Sequence, residues 1–240
     1  ISHENRDKKS VKVIGMSCRF PGAEGLQDYW NLLLSGECVI DDSRPMPGGY
    51  VTDHYAFDNE FFGISKSEAG IMDPHQRLAL ELSWEALHDA SFTKESIPKD
   101  MGVFVGQWVQ DHHVSLRSQS SVYIPTGGSL GITASRISYI FNLQGPSMVV
   151  DTACSSSLVA LKQATYALHD HDFALVGGVN LLLDDSFTQK MIEGSFLSPT
   201  NRCHTFDAKA DGYVRAEGGG FVVLTSLDSF DTHAYAEVSN

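Results

Sequence analysis

Clusters of lysine and arginine are missing from this sequence: 17 basic side chains against 30 acidic ones leave a formal net charge of -13 over 240 residues. Phosphate backbones are gripped by clustered Lys and Arg, so this balance argues against nucleic acid as a partner. The same deficit leaves no visible basic patch for an acidic protein partner. No apolar run reaches the roughly 18 residues that a membrane-spanning helix needs. The opening ISHENRDKKS is polar with no apolar stretch behind it, unlike a secretion signal, so a cytoplasmic setting is the default expectation. Cysteine is sparse. Cys18, Cys38, Cys154 and Cys203 stand far apart without a CxxC pair, and neither a zinc site nor a disulfide framework is expected. Single cysteines in such a chain are mostly buried small hydrophobes. No GK[ST] follows Gly218–Gly220, and the next residues read as a strand, so this run is not a phosphate loop. No internal repeat and no low-complexity linker divides the chain, whose length suits one large domain or two modest ones sharing a core.

What is present is an alternation of strands and helices. Val11–Met16 has the β-branched content of a buried strand, with Gly15 closing its regular part. In QDYWNLLLSG, Tyr29, Trp30, Leu33 and Leu34 share one helical face and Gly36 supplies the stop. Residues 37–60, rich in Asp, Pro and Gly, read as a long surface loop. Asp73 is placed to cap a helix and Pro74 to occupy its first position. Leu78, Leu82, Ala86 and Leu87 then recur at helical spacing and predict one buried face. Met101–Gly106 reads as a short strand, and GITASRISYIF as a helix that ends by Pro146. SMVVD reads as a buried strand running directly into the helix TACSSSLVALKQATYALHD. ALVGGVNLLL and GGGFVVLTSL read as further buried strands, and AYAEVS as one just begun. Such alternation indicates an α/β fold with a largely parallel sheet.

A nucleophile at a tight turn between a strand and a helix is a known way to present a reactive side chain. Here Met148–Asp151 leads through Thr152, Ala153 and Cys154 into the helix that Ser155 opens. Unpaired N–H groups and the positive end of the helix dipole favour a thiolate and can receive an oxyanion. Ala153, Ser155, Ser156 and Ser157 are small enough to leave room for an acyl chain. On these features alone Cys154 reads equally well as a reactive thiol or a buried structural one, and the three serines read as packing or capping residues rather than nucleophiles.

VDTACSSSLVAL at 150–161 resembles the active-site segment of β-ketoacyl synthases, especially those of polyketide synthases. VIGMSCRFPGA (13–23), FDNEFFGISKSEAGIMDPHQRLALELSWEAL (57–87), GVFVG (102–106), ITASRISYIFNLQGPS (132–147), LVGGVN (175–180) and LSPTNRCHTFDAKADGYVRAEGGGFVVL (197–224) are similar to the same family and fall in its order. The resemblance implies the N-terminal half of a thiolase-like fold: α/β/α layers around a mixed, largely parallel sheet. A polar tail over 1–10 would precede that half at 11–228, with 229–240 a linker and the first strand of a second half.

It further implies that Cys154 takes an acyl group from the phosphopantetheine thioester of an acyl carrier protein, its backbone N–H serving as one oxyanion donor. A malonyl-type extender would then be decarboxylated, and its carbanion would attack the Cys154-bound carbonyl. No cofactor or metal is implied. The expected partners are the carrier protein, the second half of the domain, and a second copy paired through the strand at Met148–Val150. A fatty-acid synthase is the near alternative within the family; a thiolase fits the motifs around Cys154 less well. The histidines of the family's HGT-like and NIGH-like segments are not in the sequence, and His75, His169, His171 and His204 read as structural or surface residues. Condensation by these 240 residues alone is therefore not expected. Exposure of the face meant for the second half predicts poor solubility or association.

A reading of another class is a non-catalytic dimerisation or carrier-docking module. Arg202, Cys203, Phe206, Asp207, Asp211, Gly212 and Glu217 belong to a block that shapes the floor beside the nucleophile in the family, though turn chemistry and strand support explain most of them. Phe196 is a candidate acyl-pocket residue, with core packing the simpler role. The loop between Ile40 and Phe57 is shorter than the family form, as is the segment between Leu227 and Ala234. Loops tolerate such changes, and these bear on carrier or domain contacts rather than on the fold.

Overall fold

A computed structural model describes residues 10–116, 118–227 and 234–238. The tail expected at 1–10, apart from Ser10, and residues 229–233 and 239–240 of the expected linker and strand lie outside the described residues. The strands are β1 (Val11–Arg19), β2 (Met101–Gly106), β3 (Ser147–Val150), β4 (Phe173–Asn180), β5 (Gly218–Thr225) and β6 (Ala236–Val238). The helices are α1 (Leu26–Ser35), α2 (Lys66–Ala69), α3 (Pro74–Asp89), α4 (His112–Leu116), α5 (Ile124–Gly127), α6 (Ile132–Phe141), α7 (Ser156–Ala167) and α8 (Asp185–Glu193), with a 3-10 turn at Ala153–Ser155 leading into α7.

Alternating side chains on a strand serve opposite faces of a sheet, and these strands sort accordingly. Val103 and Val105 of β2, Leu175 and Val179 of β4, and Phe221 and Val223 of β5 join one core with Leu78, Leu82 and Leu87 of α3 and Ile137 of α6. The intervening Phe104, Ala174, Val176 and Leu224 join a smaller core with Ala160 and Ala164 of α7. The chain is thus layered, with α3 and α6 on one face of the sheet and α7 on the other. Asp73 caps α3 by accepting from the His75 N–H at 2.9 Å, with Pro74 in the first turn, as the sequence predicts.

The strand order is β3-β2-β4-β5-β1-β6. Among the named strands, parallel pairing is confined to β2 with β3 and β4. β4–β5, β5–β1 and β1–β6 are antiparallel. The sheet is therefore mixed, and the expectation that parallel pairs predominate is corrected. Asn180 and Gly218 are register partners, so the whole segment between them leaves and re-enters at one end of the sheet and β5 runs against β4.

Three local expectations also change. β1 continues through Gly15 to Arg19, because Gly15 does not end the strand but admits α3: a Cβ there would lie 2.4 Å from the Ala86 carbonyl oxygen. No residue of α1 is buried, although Gly36 does stop it in the left-handed conformation (φ 66°). Among the described residues only Tyr29 of the predicted face finds an aromatic partner, Phe20 at 4.7 Å, while Trp30, Leu33 and Leu34 stay exposed. β3 is an outer strand paired on one side only, which leaves Ser147 and Met148 exposed rather than buried. α6 ends at Phe141, as the segment GITASRISYIF predicts, with Asn142 (φ 53°) at its stop.

Candidate functional site

The site is built where β2, β3 and β4 end, and carboxyl ends of parallel strands are where open α/β sheets hold ligands. Register aligns Val150, Gly106, Gly178 and Gly220 on neighbouring strands, with Cys18 of β1 next in the row. Three glycines side by side make a trough. A Cβ at Gly106 would sit 2.6 Å from the Ser157 nitrogen, and one at Gly178 would lie 3.1 Å from the Ser157 Cβ. The glycines therefore let the start of α7 settle onto the sheet.

Into that trough the chain turns from β3 through a strained backbone. Ala153 has φ 55°, a left-handed conformation that costs a non-glycine residue about 1–2 kcal/mol. Side chains on both sides hold it. Asp151 Oδ1 accepts from the Ala153 N–H at 3.1 Å. Ser156 Oγ accepts from the Thr152 N–H at 2.9 Å and donates to the Ala153 carbonyl at 2.6 Å. Ser155 Oγ donates to the Thr152 carbonyl at 2.8 Å. Ser155 and Ser156 thus clamp the turn, and the Ser155 side chain makes no capping bond to α7. Cys154 is exposed, and its thiol makes no hydrogen bond among the described residues.

Cys154 opens on a cavity of about 570 Å³. Gly178 and Gly218–Gly220 form its base, Ser156 and Ser157 the α7 side, Gln107 and Trp108 the end of β2, and Tyr213–Ala216 the opposite wall. Arg215 is buried, donates from Nη1 to Thr188 Oγ1 at 2.5 Å, and stacks 4.9 Å from the Phe187 ring centroid. Trp108 meets the same ring edge-on at 5.5 Å. Burial pulls the Arg215 guanidinium below its ordinary range, with Tyr213, Asp111 and Tyr50 opposing. Burial raises the Tyr213 phenol, opposed by Arg215 and reinforced by Cys154.

The candidate block from Arg202 to Glu217 divides. Tyr213, Val214, Arg215 and Ala216 line the cavity, whereas Arg202, Cys203, Phe206, Asp207, Asp211, Gly212 and Glu217 do not. Arg202 contacts the Cys38 sulfur, and Cys203 Sγ accepts from the Val214 N–H at 3.4 Å. Phe206 is fully exposed. Asp207 closes a turn through the Lys209 N–H at 2.8 Å. The Asp211 carboxyl lies below its ordinary range because Ser198 Oγ donates to it at 2.6 Å. Glu217 bridges segments, accepting from Val51 N–H and Leu182 N–H, both at 3.0 Å. These are turn and strand supports.

Phe196 is not brought to the cavity wall and is 57% exposed rather than packed in the core. Ser195 (φ 59°) turns the chain after α8, and the Phe196 ring lies across Gly194, where a Cβ would meet it at 2.7 Å. His75 is structural. Its Nδ1 faces Asp73 Oδ1 at 2.7 Å and its Nε2 accepts from the Leu181 N–H at 2.8 Å, which fixes a neutral ring protonated at Nδ1. His171 pairs with Asp100 at 2.7 Å, and His204 stands 3.5 Å from Thr200 Oγ1. Gln107, Trp108 and Arg215 were not among the residues expected at the site. The signal available was glycine itself, closing the strand motifs GVFVG and LVGG and opening GGGFVVL.

Among the described residues no group of three or more His, Cys, Asp or Glu is arranged to hold a metal ion. No described helix is long and apolar enough to cross a membrane.

Residues 8–229 match the family model described as beta-ketoacyl synthase, N-terminal domain. The chain is 41% identical over 257 aligned residues to a phenolphthiocerol/phthiocerol polyketide synthase of Mycobacterium tuberculosis, covering 94% of this chain and 12% of that protein. It is 38% identical to the non-reducing polyketide synthase nvfA of Aspergillus novofumigatus, covering 92% of this chain and 11% of that one. The ketosynthase from module 6 of the bacillaene synthase of Bacillus subtilis 168 superposes with a TM-score of 0.88 at 37% identity, over 95% of this chain and 42% of that structure. The chain thus spans about a tenth of these curated relatives and less than half of the solved ketosynthase.

Proposed function

This chain belongs to the β-ketoacyl synthase family, and from that premise we propose that it is the nucleophile-bearing half of a polyketide synthase ketosynthase, with Cys154 as the acyl carrier. The observation that carries the reading is the placement of Cys154, on a strained turn that opens into the cavity at the strand ends. Cys154 Sγ attacks the carbonyl of an acyl thioester borne on the phosphopantetheine of an acyl carrier protein. The oxyanion is received by the Cys154 backbone N–H at the start of α7. The C–S bond to pantetheine breaks, its thiol leaves, and the acyl group remains on Cys154.

Condensation then requires loss of CO2 from a malonyl-type extender and attack of the carbanion on the Cys154 thioester. The histidines for that step belong to segments outside these 240 residues, so this polypeptide loads acyl groups without extending them. Polyketide rather than fatty-acid chemistry is favoured by the two curated relatives, both of which are named as polyketide synthases. The free edge of β3 suits pairing with a second copy, and the exposed Met148 suits burial there. A cytoplasmic enzyme without a cofactor of its own is the setting.

The test is to incubate the chain with a labelled acyl-carrier thioester and a malonyl thioester. Label retained on the wild type and lost from Cys154→Ala, with no CO2 released, is the expected result. Equal retention by the variant sinks the role of Cys154, and CO2 release sinks the division of labour. Retention by neither protein favours a docking module without turnover.

A further inference from the structure

Arginines in this chain reveal how a buried cation is normally satisfied. Arg77 is buried and gives three hydrogen bonds to backbone carbonyls, two to Met72 and one to Tyr55. Arg136 bonds Gln76 Oε1 at 2.9 Å and Glu68 Oε1 at 2.5 Å. Arg19, half-buried, holds Glu81 and Glu85 at 2.7 and 2.5 Å. Arg215 is different. It is 6% exposed, and a guanidinium carries five N–H donors, yet among the described residues only Thr188 Oγ1 accepts from it.

Phe187 covers one face of the Arg215 group without taking an N–H. No carboxylate stands within ion-pair distance of Arg215 among the described residues. Asp111 acts on it only through space: its Oδ2 is engaged by the Leu183 and Asp184 N–H groups at 3.0 and 3.1 Å, and its buried Oδ1 has no hydrogen-bond partner among the described residues. A buried charge is costly unless it is paired and hydrogen-bonded. None of the Arg215 nitrogens is closed off as a buried, partnerless atom, and the residue lines the same cavity as Cys154. Its remaining donors are therefore not sealed in protein, and the residue stands on the wall of the space an acyl substrate would enter.

Resting on the reading of Cys154 as the acyl carrier, we infer that Arg215 is an anion anchor in that cavity and favours acyl thioesters bearing a free carboxylate. The planar guanidinium fork matches a carboxylate better than a point charge would. Arg215 on this account selects the substrate and takes no part in bond making.

The test compares alkylation of Cys154 by iodoacetate, an anion, and iodoacetamide, its neutral counterpart. Peptide mass spectrometry reads both rates, with N-acetylcysteine in the same tube giving the intrinsic ratio. The iodoacetate-to-iodoacetamide ratio at Cys154 should exceed that of N-acetylcysteine and fall about tenfold in Arg215→Gln. General changes in thiol reactivity cancel in the ratio. An unchanged ratio in the variant overturns the anchor while leaving Cys154 reactive, whereas a Cys154 inert to both reagents removes the nucleophile reading and the anchor with it.

A second measurement needs no variant and so does not depend on the variant folding. Malonate should protect Cys154 of the unaltered chain from iodoacetamide, and malonamide should not. Equal protection by malonamide, or by inorganic phosphate, overturns the carboxylate preference.

Discussion

The two faces of the sheet are built to opposite specifications. On the α3 face, Leu80, Leu82, Ala86 and Leu87 are wholly buried against Val103, Leu175 and Val223, and Arg19 is tied down by carboxylates at its rim. On the α7 face the sheet offers glycine at three adjacent strand ends, α7 buries only Ser156, Ala160 and Ala164, and Leu158 stays exposed. One face is closed by large side chains in register. The other, though Phe104, Val176 and Leu224 pack under α7, is held open at its strand ends by glycines, with polar clamps fixing a strained turn. The stability of the chain lies mainly on the first face and its chemistry on the second.

That contrast can be broken from either side. The largest effect on stability is expected for Leu82→Ala, which empties a fully buried position on the α3 face. It should cost about 2–5 kcal/mol in chemical denaturation. Unchanged stability would mean that this face is not the foundation.

Asp73→Asn comes next, at about 1.5–3 kcal/mol near neutral pH, because it removes a charged partner from the buried His75 ring. Burial alone would raise the Asp73 carboxyl, but the His75 contacts and the nearby His112 outweigh it and hold the group below the ordinary value of 3.8. The stabilisation is therefore full above the unfolded value and is lost as pH falls through the lower folded one. The wild-type advantage over Asp73→Asn should shrink in that acid window, and a pH-independent difference would refute the linkage.

Gly106→Ala should cost about 1–3 kcal/mol, since its Cβ meets the backbone of Ser157. Unlike Leu82→Ala, it should also slow alkylation of Cys154 in the folded state, as α7 is pushed off the trough. Loss of stability without that slowing would separate the glycine row from the site. Smallest of all is Leu158→Ala, on the exposed side of α7, with a change within about 0.5 kcal/mol in the monomer. A larger change would mean that this residue is covered in solution, which sedimentation at several concentrations would reveal.

The closed face was the more legible in the sequence. Leu78, Leu82, Ala86 and Leu87 recur at helical spacing, Asp73 and Pro74 mark the start of their helix, and Val103 and Val105 alternate as a strand must. Such patterns are local, and the structure repeats them. The Cys154 turn was legible for a related reason, since strand, tight turn and serine-rich helix start follow one another without interruption. Sheet direction was not legible, because the 181–217 segment returns to the end it left and nothing local encodes that return. The α1 face was misleading: Trp30, Leu33 and Leu34 have the spacing of a buried stripe but no described layer covers them. Phe196 was read from its neighbours in sequence, whereas the turn at Ser195 decides where its ring lies. Arg215 was missed because an arginine in a loop gives no hint, in one dimension, that α8 will bury it.

The most direct measurement of the division between the two faces is a site-resolved map of the four cysteines after exposure to an acyl pantetheine thioester. Cys18 is buried on β1, Cys38 and Cys203 are exposed outside the cavity, and Cys154 stands at its mouth. The account predicts that the acyl group is found on Cys154, with Cys38 and Cys203 carrying little and Cys18 none. Acylation that follows exposure alone, with Cys38 or Cys203 labelled as fast as Cys154, would contradict it.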